Sequence, residues 1–274
     1  MTPISSAAIR SHYDRLSVFY RWLWGEHIHH GLWRNRESPQ QAQVELIKEL
    51  AARMGIARGA EVLDVGCGLG GSAIWLAQQL NCKVTGITIS PVQKRMAERR
   101  ARSLELGHRV QFRVADANQF EFAPGSFDAI WVIECAEHLF DRAAFIRKCA
   151  ELLRECGRIG ICAWLVGEEA GTSRNSVLLE AICSGMLCPP LPSFSQYQRW
   201  FRENGFQQIE LEDVTRCVVR TWQICAEIVA KPAVRICVPL LGRQTREFAA
   251  QFDAMKRAFA TGVLRYGIFT ARKE

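Results

Sequence analysis

A short apolar run that ends in an acidic residue and a glycine-rich turn is the feature that most constrains this fold. Residues 62–71 read VLDVGCGLGG, and residues 72–77 continue as SAIWLA, which is typical of the start of a helix. Glycine has no Cβ, so a glycine-rich backbone can turn tightly and approach a ligand closely. Backbone N–H groups at the start of a helix favour a polar or negatively charged group. This strand–turn–helix unit therefore predicts a site for a nucleotide-like cofactor.

Strand and helix patterns alternate along the rest of the chain. Helical patterns at about 71–80, 91–106 and 141–153 separate most of the strand candidates. Such alternation indicates right-handed crossovers and a parallel, doubly wound α/β sheet. A further helix is predicted over residues 13–24. The strand candidates are residues 62–66, 83–87, 110–114, 127–132, 158–164, 206–214 and 263–271.

The glycine spacing also fits a dinucleotide site, which is the first alternative. Gly66, Gly68 and Gly71 satisfy the pattern G-x-G-x-x-G. A dinucleotide site also needs an acidic residue about 20 residues further on to hold the ribose hydroxyls. The second strand has no carboxylate at its end, and Thr88 and Gln93 offer hydrogen bonds to a ribose instead. The missing carboxylate argues against a dinucleotide cofactor. A nicotinamide-dependent oxidoreductase stays open as an alternative function.

Length and composition are typical of a globular chain with one large domain or two small ones. The 274 residues are 49% hydrophobic and 23% charged. No stretch approaches the roughly 18 consecutive apolar residues that a membrane span needs. The first ten residues lack the basic-then-apolar pattern of a signal peptide. We therefore expect a cytoplasmic protein without an integral membrane segment, and its oligomeric state is left open.

Cysteines and histidines are numerous, but their spacing does not favour a metal site. The chain has eleven cysteines and no C-x-x-C pair, whereas metal sites usually show paired short spacings. His27, His29 and His30 fall within four residues, yet no cysteine or carboxylate joins them at ligand spacing. We expect no metal, most thiols packed in the core, and the histidines packed around the site.

The chain is basic, with a formal net charge of +7. Basic residues crowd the predicted helix at 91–106, a pattern typical of a solvated helix face. No base-stacking aromatic residues are interleaved with them, so we expect no nucleic-acid partner.

The chain divides into a core and several covering segments. The first 45 residues are rich in aromatic residues and histidine, and the pattern loosens again after Trp164. The predicted segments are 1–45 (N-terminal helical lid), 46–166 (cofactor-binding core), 167–194 (cap insertion), 195–215 (core continuation), 216–260 (helical cap insertion) and 261–274 (last core strand).

Five motifs spread over most of the chain carry a family resemblance: residues 24–31 (WGEHIHHG), 62–71 (VLDVGCGLGG), 85–93 (TGITISPVQ), 134–138 (ECAEH) and 269–273 (FTARK). They resemble S-adenosylmethionine-dependent methyltransferases of the gamma-tocopherol methyltransferase-like family, whose relatives include bacterial natural-product methyltransferases and cyclopropane fatty acid synthases. The resemblance implies a Rossmann-like class I fold with a mostly parallel seven-stranded sheet, an N-terminal helical lid and helical cap insertions. It implies S-adenosyl-L-methionine as the cofactor.

The resemblance also implies which residues hold the cofactor. The glycine-rich turn would meet its methionine end and sugar, and the end of the second strand would meet the ribose and adenine. The residue after the third strand would face the adenine edge, where a carboxylate can accept from the amino group; as an alternative, it only opens a turn. The implied cofactor residues are Asp64, Gly66, Cys67, Gly68, Gly70, Thr88, Ile89, Gln93, Asp116, Ala117 and Glu134.

The segment after the fourth strand is the candidate catalytic region. His138 could take a proton from an acceptor hydroxyl, amine or carbon acid near neutral pH. Glu137 could do so when desolvated, or could orient His138. In the resembling cyclopropane synthases a Glu–His pair at this place helps bind bicarbonate, so an anion site stays open as an alternative. The candidate substrate and lid residues are Tyr13, His29, His30 and Trp164.

The expected function is methyl transfer to a lipophilic small molecule. The resemblance implies a prenylated aromatic, isoprenoid or indole- or alkaloid-like acceptor in specialised metabolism, with carbon, nitrogen or oxygen as the methylated atom. One alternative is a prenyl diphosphate C-methyltransferase, which a basic chain could suit. An alternative of another class is a cofactor-binding protein without catalysis.

Overall fold

One twisted sheet organises the chain, whose computed structural model describes residues 4–171, 173–232, 234 and 243–274. Within those residues seven strands lie in the order β3-β2-β1-β4-β5-β7-β6. Strands β1 to β5 are parallel, and β7 pairs antiparallel with both β5 and β6. The predicted mostly parallel Rossmann-like sheet is confirmed. The strands are β1 (Glu61–Val65), β2 (Lys83–Thr88), β3 (Val110–Val114), β4 (Phe127–Ile133), β5 (Leu153–Val166), β6 (Phe206–Asp213) and β7 (Leu264–Lys273).

The strand order reverses at the centre of the sheet. From β1 the chain proceeds to β2 and β3 on one side, and it returns to β4 on the other side of β1. In open α/β sheets, ligands bind outside the carboxyl ends of the strands at such a switch point. Asp64, near the end of β1, pairs with Gly86 on one side and Trp131 on the other. The glycine-rich turn and the segment after β4 therefore lie at the same edge.

Helices flank the sheet, and short polar residues set several of their starts. Ser38 and Ser193 each form a capping box, and the Asp141 side chain accepts from the backbone N–H of Ala144. The helices are α1 (Ser6–Leu23), α2 (Pro39–Met54), α3 (Gly71–Leu80), α4 (Pro91–Ser103), α5 (Arg142–Leu152), α6 (Ser173–Gly185), α7 (Phe194–Glu203), α8 (Thr215–Val218), α9 (Arg220–Ala230) and α10 (Arg243–Ala260).

Two helix boundaries differ from the sequence prediction. Helix α1 begins at Ser6 rather than at residue 13, because the Ser5 side chain caps it by accepting from the N–H of Ala8. Helix α4 ends at Ser103 rather than near residue 106. Beyond it Glu105 has a left-handed conformation, with a φ of 58°, which a right-handed helix does not accommodate.

Apolar side chains fill both faces of the sheet. On one face the core includes Leu46, Leu50 and Met54 of α2, all fully buried. On the other face it includes Tyr197 of α7, whose ring centroid lies 4.5 Å from that of Phe269 on β7. The described cysteines are free and most are buried, as predicted; Cys237 lies outside the described residues. Because both faces of the sheet are covered, we expect a ligand-binding site at the carboxyl edge of the strands.

The lid helix and the late helices pack around that edge. Helix α1 contacts α4, and α10 contacts both α6 and α9. Phe248 of α10 meets Tyr20 of α1 edge-on, with 5.5 Å between ring centroids. Residues 1–3, 172, 233 and 235–242, which belong to the predicted lid and cap segments, lie outside the described residues. The division into lid, core and caps stays a prediction. Of the described helices, none is both long and apolar enough to cross a membrane.

Candidate active site

Two neighbouring cavities lie at the carboxyl edge of the sheet. The sheet cavity is formed by the loops after β1 to β4 together with α1 and the segment that follows it; its lining is Ile9, Tyr13, Ile28, Gly66, Gly68, Ile87, Thr88, Ile89, Gln93, Ala115, Asp116, Ala117, Asn118, Ile133, Glu134, Cys135, His138 and Leu139. The lid cavity lies under α1 and α10; its lining is His12, Tyr13, Tyr20, Trp24, Ile28, His29, His30, Glu134, Glu137, His138, Trp164, Met186, Cys188, Thr221, Trp222 and Phe248.

The two cavities share part of their walls. Tyr13 and Ile28 of the lid, together with Glu134 and His138 after β4, line both. A ligand in one cavity therefore borders a ligand in the other at these side chains. This arrangement suits a reaction in which a group passes from one bound molecule to another.

The glycine-rich turn presents bare backbone to the sheet cavity. Gly66 and Gly68 are left-handed, with φ values of 77° and 52°. A Cβ on Gly66 would lie 2.4 Å from Cβ and Sγ of Cys135, so a larger residue would displace the loop after β4. Gly70 is at the N-cap of α3, where a Cβ would lie 2.7 Å from the Phe112 ring. Gly70 thus permits close packing and lies outside the lining of the sheet cavity.

Asp64 and Cys67 lie behind the turn rather than in the described cavity lining. The Asp64 side chain is buried, accepts a hydrogen bond from the backbone of Ala73, and leaves Oδ2 without a partner among the described residues. Burial raises the pKa of Asp64 from 3.8 to about 7, although the bond from Ala73 opposes this shift. The backbone N–H of Cys67 donates to the carbonyl of Ile87 over 2.9 Å, which ties the turn to β2.

The end of β2 contributes a buried pair of polar side chains. The Thr88 hydroxyl donates to Oε1 of Gln93 over 2.7 Å, and Ser90 caps α4 by accepting from the N–H of Gln93. Because Oε1 of Gln93 takes the threonine proton, its NH2 group is the end left to donate to a ligand. Thr88, Ile89 and Gln93 all line the sheet cavity, and their contacts with a ribose and adenine stay a prediction.

Asp116 follows β3 and holds the turn that opens there. Its Oδ1 accepts from the backbone N–H of Asn118 over 2.8 Å and from Nδ2 of the same residue over 3.0 Å. Partial burial raises the pKa of Asp116, but hydrogen bonds from Ser6 and Asn118 outweigh it and lower the pKa below its usual value. The residue therefore opens a turn and also presents a carboxylate to the sheet cavity, so the two alternatives are compatible.

Glu134 connects three distant parts of the chain at the wall between the cavities. Its backbone has a left-handed conformation, with a φ of 50°. Its Oε1 accepts from the backbone N–H of His30 and from the Tyr266 hydroxyl, each over 2.7 Å, and its Oε2 is 3.0 Å from Nδ1 of His30. Burial raises the pKa of Glu134, but His30 and its hydrogen bonds more than offset that and lower the pKa. Glu134 is therefore ionised and fixes His30 to β4 and β7.

His138 has a partner at each ring nitrogen. Its Nδ1 is 3.0 Å from the carbonyl oxygen of Leu187, and its Nε2 is 2.9 Å from the Tyr13 hydroxyl. A carbonyl can only accept, so Nδ1 carries the proton and Nε2 accepts from Tyr13. Burial lowers the pKa of His138, the bond to Leu187 opposes this, and Arg142 lowers it further. The ring is therefore neutral near pH 7.

Glu137 is a buried carboxyl group in the lid cavity. Its Oε1 accepts from the backbone N–H of Trp164 over 2.8 Å, and its Oε2 has no partner among the described residues. Burial and then the charge of Glu134 raise the pKa of Glu137 from 4.5 to about 8, although the bond from Trp164 lowers it. Glu137 is thus largely protonated at pH 7 and can donate a hydrogen bond.

Arg142 secures the turn that carries Glu137 and His138, and sequence reasoning missed it. Its guanidinium donates to three carbonyl oxygens, those of Ala136, Glu137 and Pro190, over 2.8 to 2.9 Å. A basic residue in the first turn of a helix gives no sequence signal of such a role. Tyr266, which donates to Glu134, was missed for the same reason, since it reads as an ordinary strand residue.

The lid cavity combines aromatic walls with unpartnered polar atoms. Its described lining contains no Lys or Arg, and no described group of His, Cys, Asp or Glu is arranged to hold a metal ion. Buried atoms of this lining that have no hydrogen-bond partner among the described residues are Nε2 of His29 and His30, Oε2 of Glu137, and Nε1 of Trp164 and Trp222.

The structure brings most of the predicted site residues together. The sheet cavity includes Gly66, Gly68, Thr88, Ile89, Gln93, Asp116, Ala117 and Glu134, and the lid cavity includes Tyr13, His29, His30, Glu137, His138 and Trp164. Asp64, Cys67 and Gly70 lie next to the sheet cavity but outside its described lining. The individual roles of all these residues stay predictions.

Similarity to known proteins extends along almost the whole chain. A family described as a methyltransferase domain matches residues 62–157. The chain is 30% identical over 283 residues to the chloroplastic tocopherol O-methyltransferase of Arabidopsis thaliana, with 97% of this chain and 81% of that protein covered. It is 33% identical over 229 residues to 27-O-demethylrifamycin SV methyltransferase of Amycolatopsis mediterranei (strain S699), with 83% and 84% covered.

A solved structure confirms the fold. That of the [4+2]-cyclase SpnF matches with a TM-score of 0.85 and 28% identity, covering 99% of this chain and 97% of that one. Its name describes a ring-forming reaction, so the fold alone does not determine the chemistry. The family follows from the sequence identity to the tocopherol enzyme over most of both chains. The chain therefore belongs to the gamma-tocopherol methyltransferase-like family of S-adenosylmethionine-dependent methyltransferases.

Proposed function

We propose that this protein transfers a methyl group from S-adenosylmethionine to a hydroxyl group of a neutral, lipophilic small molecule bound in the lid cavity. The observation that carries the acceptor class is the lining of that cavity, which has aromatic walls, several unpartnered polar atoms and no described Lys or Arg. An uncharged acceptor with a few oxygen atoms would pair those polar atoms without burying a charge. A prenylated aromatic alcohol suits this lining, as does an isoprenoid or indole-like alcohol.

The names of two relatives support oxygen as the methylated atom. One is called a tocopherol O-methyltransferase and the other a 27-O-demethylrifamycin SV methyltransferase. Both names describe transfer to an oxygen of a small organic molecule. Oxygen is therefore preferred here over carbon and nitrogen.

The sheet cavity fits the cofactor on its own geometry. Gly66 and Gly68 present backbone in its lining, where the methionine part would lie, and a Cβ on Gly68 would meet only the Gly66 carbonyl oxygen at 3.9 Å. The unpartnered Oδ2 of Asp64 belongs to the strand that precedes this turn. S-adenosylmethionine supplies a methyl group that is already activated on a sulfonium. The chain therefore has to hold, align and shield rather than activate the methyl group. The residues that would hold the ribose and adenine are Thr88, Ile89, Gln93, Asp116 and Ala117.

The side chains at the shared wall would set the alignment of the two molecules. An in-line displacement needs the nucleophile, the methyl carbon and the sulfur in a row, and a small misplacement is costly. Tyr13 and His138 fix each other at this wall through their 2.9 Å hydrogen bond. Since both nitrogens of His138 are engaged, this histidine would receive a proton from the acceptor only by way of the Tyr13 hydroxyl. His138, predicted as a catalytic residue, would then either relay a proton through Tyr13 or position the groups at the shared wall.

Glu137 would bind the acceptor rather than deprotonate it. A carboxyl group with a pKa of about 8 is mostly neutral at pH 7 and can donate from its unpartnered oxygen to a hydroxyl or carbonyl of the acceptor. The bond from the Trp164 backbone fixes its other oxygen, so the group is oriented before the acceptor arrives.

Charge in the lid cavity argues against a prenyl diphosphate acceptor. A diphosphate is a multiple anion, and its usual partners are arginine, lysine or a divalent cation. The described lining instead offers the ionised carboxylate of Glu134 and the carboxyl group of Glu137. Placing a diphosphate beside Glu134 would be repulsive at low dielectric constant.

A paired acceptor panel tests the proposal. Purified protein and labelled S-adenosylmethionine are incubated with prenylated quinols, indoles and prenyl alcohols, and with the diphosphates of those same alcohols. We expect label in one or more neutral hydroxyl compounds and at least about tenfold slower transfer to every diphosphate. Equal or faster turnover of a diphosphate than of its free alcohol would overturn the acceptor class while leaving the methyltransferase family intact.

A further inference from the structure

We propose that His30, oriented by Glu134, is the base that takes the proton from the acceptor hydroxyl. This inference rests on the proposed function, because it concerns the acceptor bound in the lid cavity. It assigns catalysis to a lid histidine and a positioning role to Glu134, which the sequence placed among the cofactor residues. The geometry that points to it is a carboxylate–histidine pair in the lining of the lid cavity, in which the second ring nitrogen of the histidine has no partner among the described residues.

The hydrogen bonds at Glu134 fix the tautomer of His30. Oε1 of Glu134 accepts from the backbone N–H of His30 and from the Tyr266 hydroxyl, an arrangement that favours the carboxylate, whose oxygens can only accept. Its Oε2 lies 3.0 Å from Nδ1 of His30, which must then carry a proton. When the ring is neutral, Nε2 has a free lone pair. That atom is buried and has no partner among the described residues.

The surroundings of His30 hold the ring in place and keep water away. Its side chain is only 2% exposed. The rings of Trp164, Trp222, Phe259 and Tyr266 surround it, with centroids 5.0 to 5.9 Å away. His30 lines the lid cavity, and the Glu134 that holds it borders both cavities. His30 is therefore part of the lining of the acceptor site, and its Nε2 would become the partner of an acceptor hydroxyl that enters there.

His12, His29 and His138 are the other histidines of the described lining. Nε2 of His12 is 2.8 Å from the Tyr20 hydroxyl, and burial lowers the pKa of His12 to about 4, so it is a weak base. His138 has Tyr13 on its Nε2, so a bound acceptor cannot reach that nitrogen directly. His29 also has an unpartnered Nε2, but its Nδ1 faces the neutral carbonyl of His30 at 2.8 Å. Burial lowers the pKa of His29. Among the described residues of this lining, His30 is the one histidine with a carboxylate within hydrogen-bond distance, and that carboxylate stabilises the imidazolium that forms when the proton arrives.

The proposed step conserves atoms and electrons. As the acceptor oxygen forms its bond to the methyl carbon, the carbon–sulfur bond breaks and its electron pair stays on the sulfur of S-adenosylhomocysteine. The hydroxyl proton passes to Nε2 of His30. The resulting cation pairs with the Glu134 carboxylate, and the proton leaves to water when the product is released.

The first test reads the tautomer directly and needs no acceptor. Long-range proton–nitrogen NMR spectra are recorded on the full chain labelled with nitrogen-15 histidine, and loss of one signal set in His30→Gln gives the assignment. Should that variant not fold, contacts with the Tyr266 and Trp164 ring protons give it instead. We expect a proton on Nδ1 of His30 and none on Nε2. A proton on Nε2 would overturn the proposal, since that nitrogen could not accept.

The second test separates catalysis from structure. We expect His30→Gln to lower kcat by about 100-fold or more, as for other general bases, with the Kd for S-adenosylhomocysteine within about twofold of wild type. His27→Gln, at a buried histidine outside both cavity linings, is the matched control and should lose less than about tenfold. Unchanged kcat in His30→Gln would overturn the role of His30, whereas a wild-type chain that methylates nothing would count against the proposed function.

A third variant isolates the role of Glu134. Glu134→Gln replaces an acceptor with an amide that can donate to Nδ1 of His30. We expect the His30 proton to move from Nδ1 to Nε2 in the NMR spectrum, together with a fall in kcat. A Tyr266→Phe variant removes another bond to Glu134 but leaves the His30 contact, and its spectrum should keep the Nδ1 tautomer. An unchanged His30 tautomer in Glu134→Gln would contradict the positioning role.

Discussion

The hydroxyl of Tyr13 lies 2.9 Å from Nε2 of His138, and this hydrogen bond joins the lid helix α1 to the turn after β4. The two residues are 125 positions apart in the sequence, yet both line both cavities. This pair of side chains therefore connects α1 to the turn after β4 at the wall between the two cavities.

Removing that bond should loosen the contact between α1 and this turn. A buried hydrogen bond contributes about 1 kcal/mol, so we expect Tyr13→Phe to raise the Kd for S-adenosylhomocysteine by about threefold to tenfold, as measured by calorimetry. Tyr197→Phe is a matched control, because that buried hydroxyl has no partner among the described residues and lies on the other side of the sheet. Equal affinities in wild type and Tyr13→Phe would contradict a role of this bond in cofactor binding.

Glu137 should make the protein less stable as the pH rises. Its folded pKa of about 8 exceeds its ordinary value of 4.5, so between these values the folded state holds a proton that the unfolded state has lost. The free energy of unfolding then falls with rising pH. Glu137→Gln lacks this contribution. As the pH rises from 5 to 8, we expect the free energy of unfolding of the variant to increase by about 1–3 kcal/mol relative to that of wild type.

Urea unfolding at these two pH values measures the effect. The difference between variant and wild type isolates Glu137, because other titrating groups contribute to both chains. Parallel stability profiles over this range would show that Glu137 ionises normally and would remove it as a hydrogen-bond donor to the acceptor.

Asp64 should make cofactor binding depend on pH. Burial raises its pKa to about 7, and the predicted place of Asp64 beside the methionine end of the cofactor implies that its ionised form would attract the ammonium group there. We expect the affinity for S-adenosylhomocysteine to rise as the pH increases from 6 to 8. In Asp64→Asn the affinity should be about 10-fold to 100-fold lower, because a hydrogen bond to a charged group is lost. The affinity of this variant should not change with pH. A variant with the wild-type pH slope would exclude Asp64 from that role.

The glycine turn gives a test with an internal control. Gly66 and Gly25 have similar φ values, 77° and 84°, but a Cβ on Gly66 would meet Cys135 at 2.4 Å whereas a Cβ on Gly25 would meet nothing within 4 Å. Both alanine variants carry a left-handed strain of about 1–2 kcal/mol. We expect only Gly66→Ala to lose more than about tenfold in S-adenosylhomocysteine affinity. Similar losses in both would trace the effect to backbone strain rather than to the cavity.

The sheet and the cofactor region could be predicted because their signals are local. Each strand is a short apolar run bounded by turn residues, and the glycine-rich turn follows β1 directly. The carboxyl ends of β1, β2 and β4 meet at one edge for any doubly wound sheet. The sequence therefore places Thr88, at the end of β2, beside the glycine turn, whereas the place of Asp116 in the site is implied by the family resemblance.

The chemistry of the lid cavity could not be predicted because its contacts are long-range. His30 and Glu134 are 104 positions apart, and Tyr266 approaches Glu134 from a strand 132 positions further on. No sequence pattern specifies such a meeting. The pKa of Glu137 likewise depends on burial by segments that precede and follow it, so its neutral state was visible only in the folded chain.

Methyl transfer itself is the most direct test of the account. The purified chain is mixed with S-adenosylmethionine labelled in its methyl group and with the neutral hydroxyl compounds of the panel, and binding of S-adenosylhomocysteine is measured in parallel. The account predicts that the chain binds S-adenosylhomocysteine and that label appears on an oxygen of a lipophilic product. A chain that binds no S-adenosylhomocysteine and labels no acceptor would contradict it.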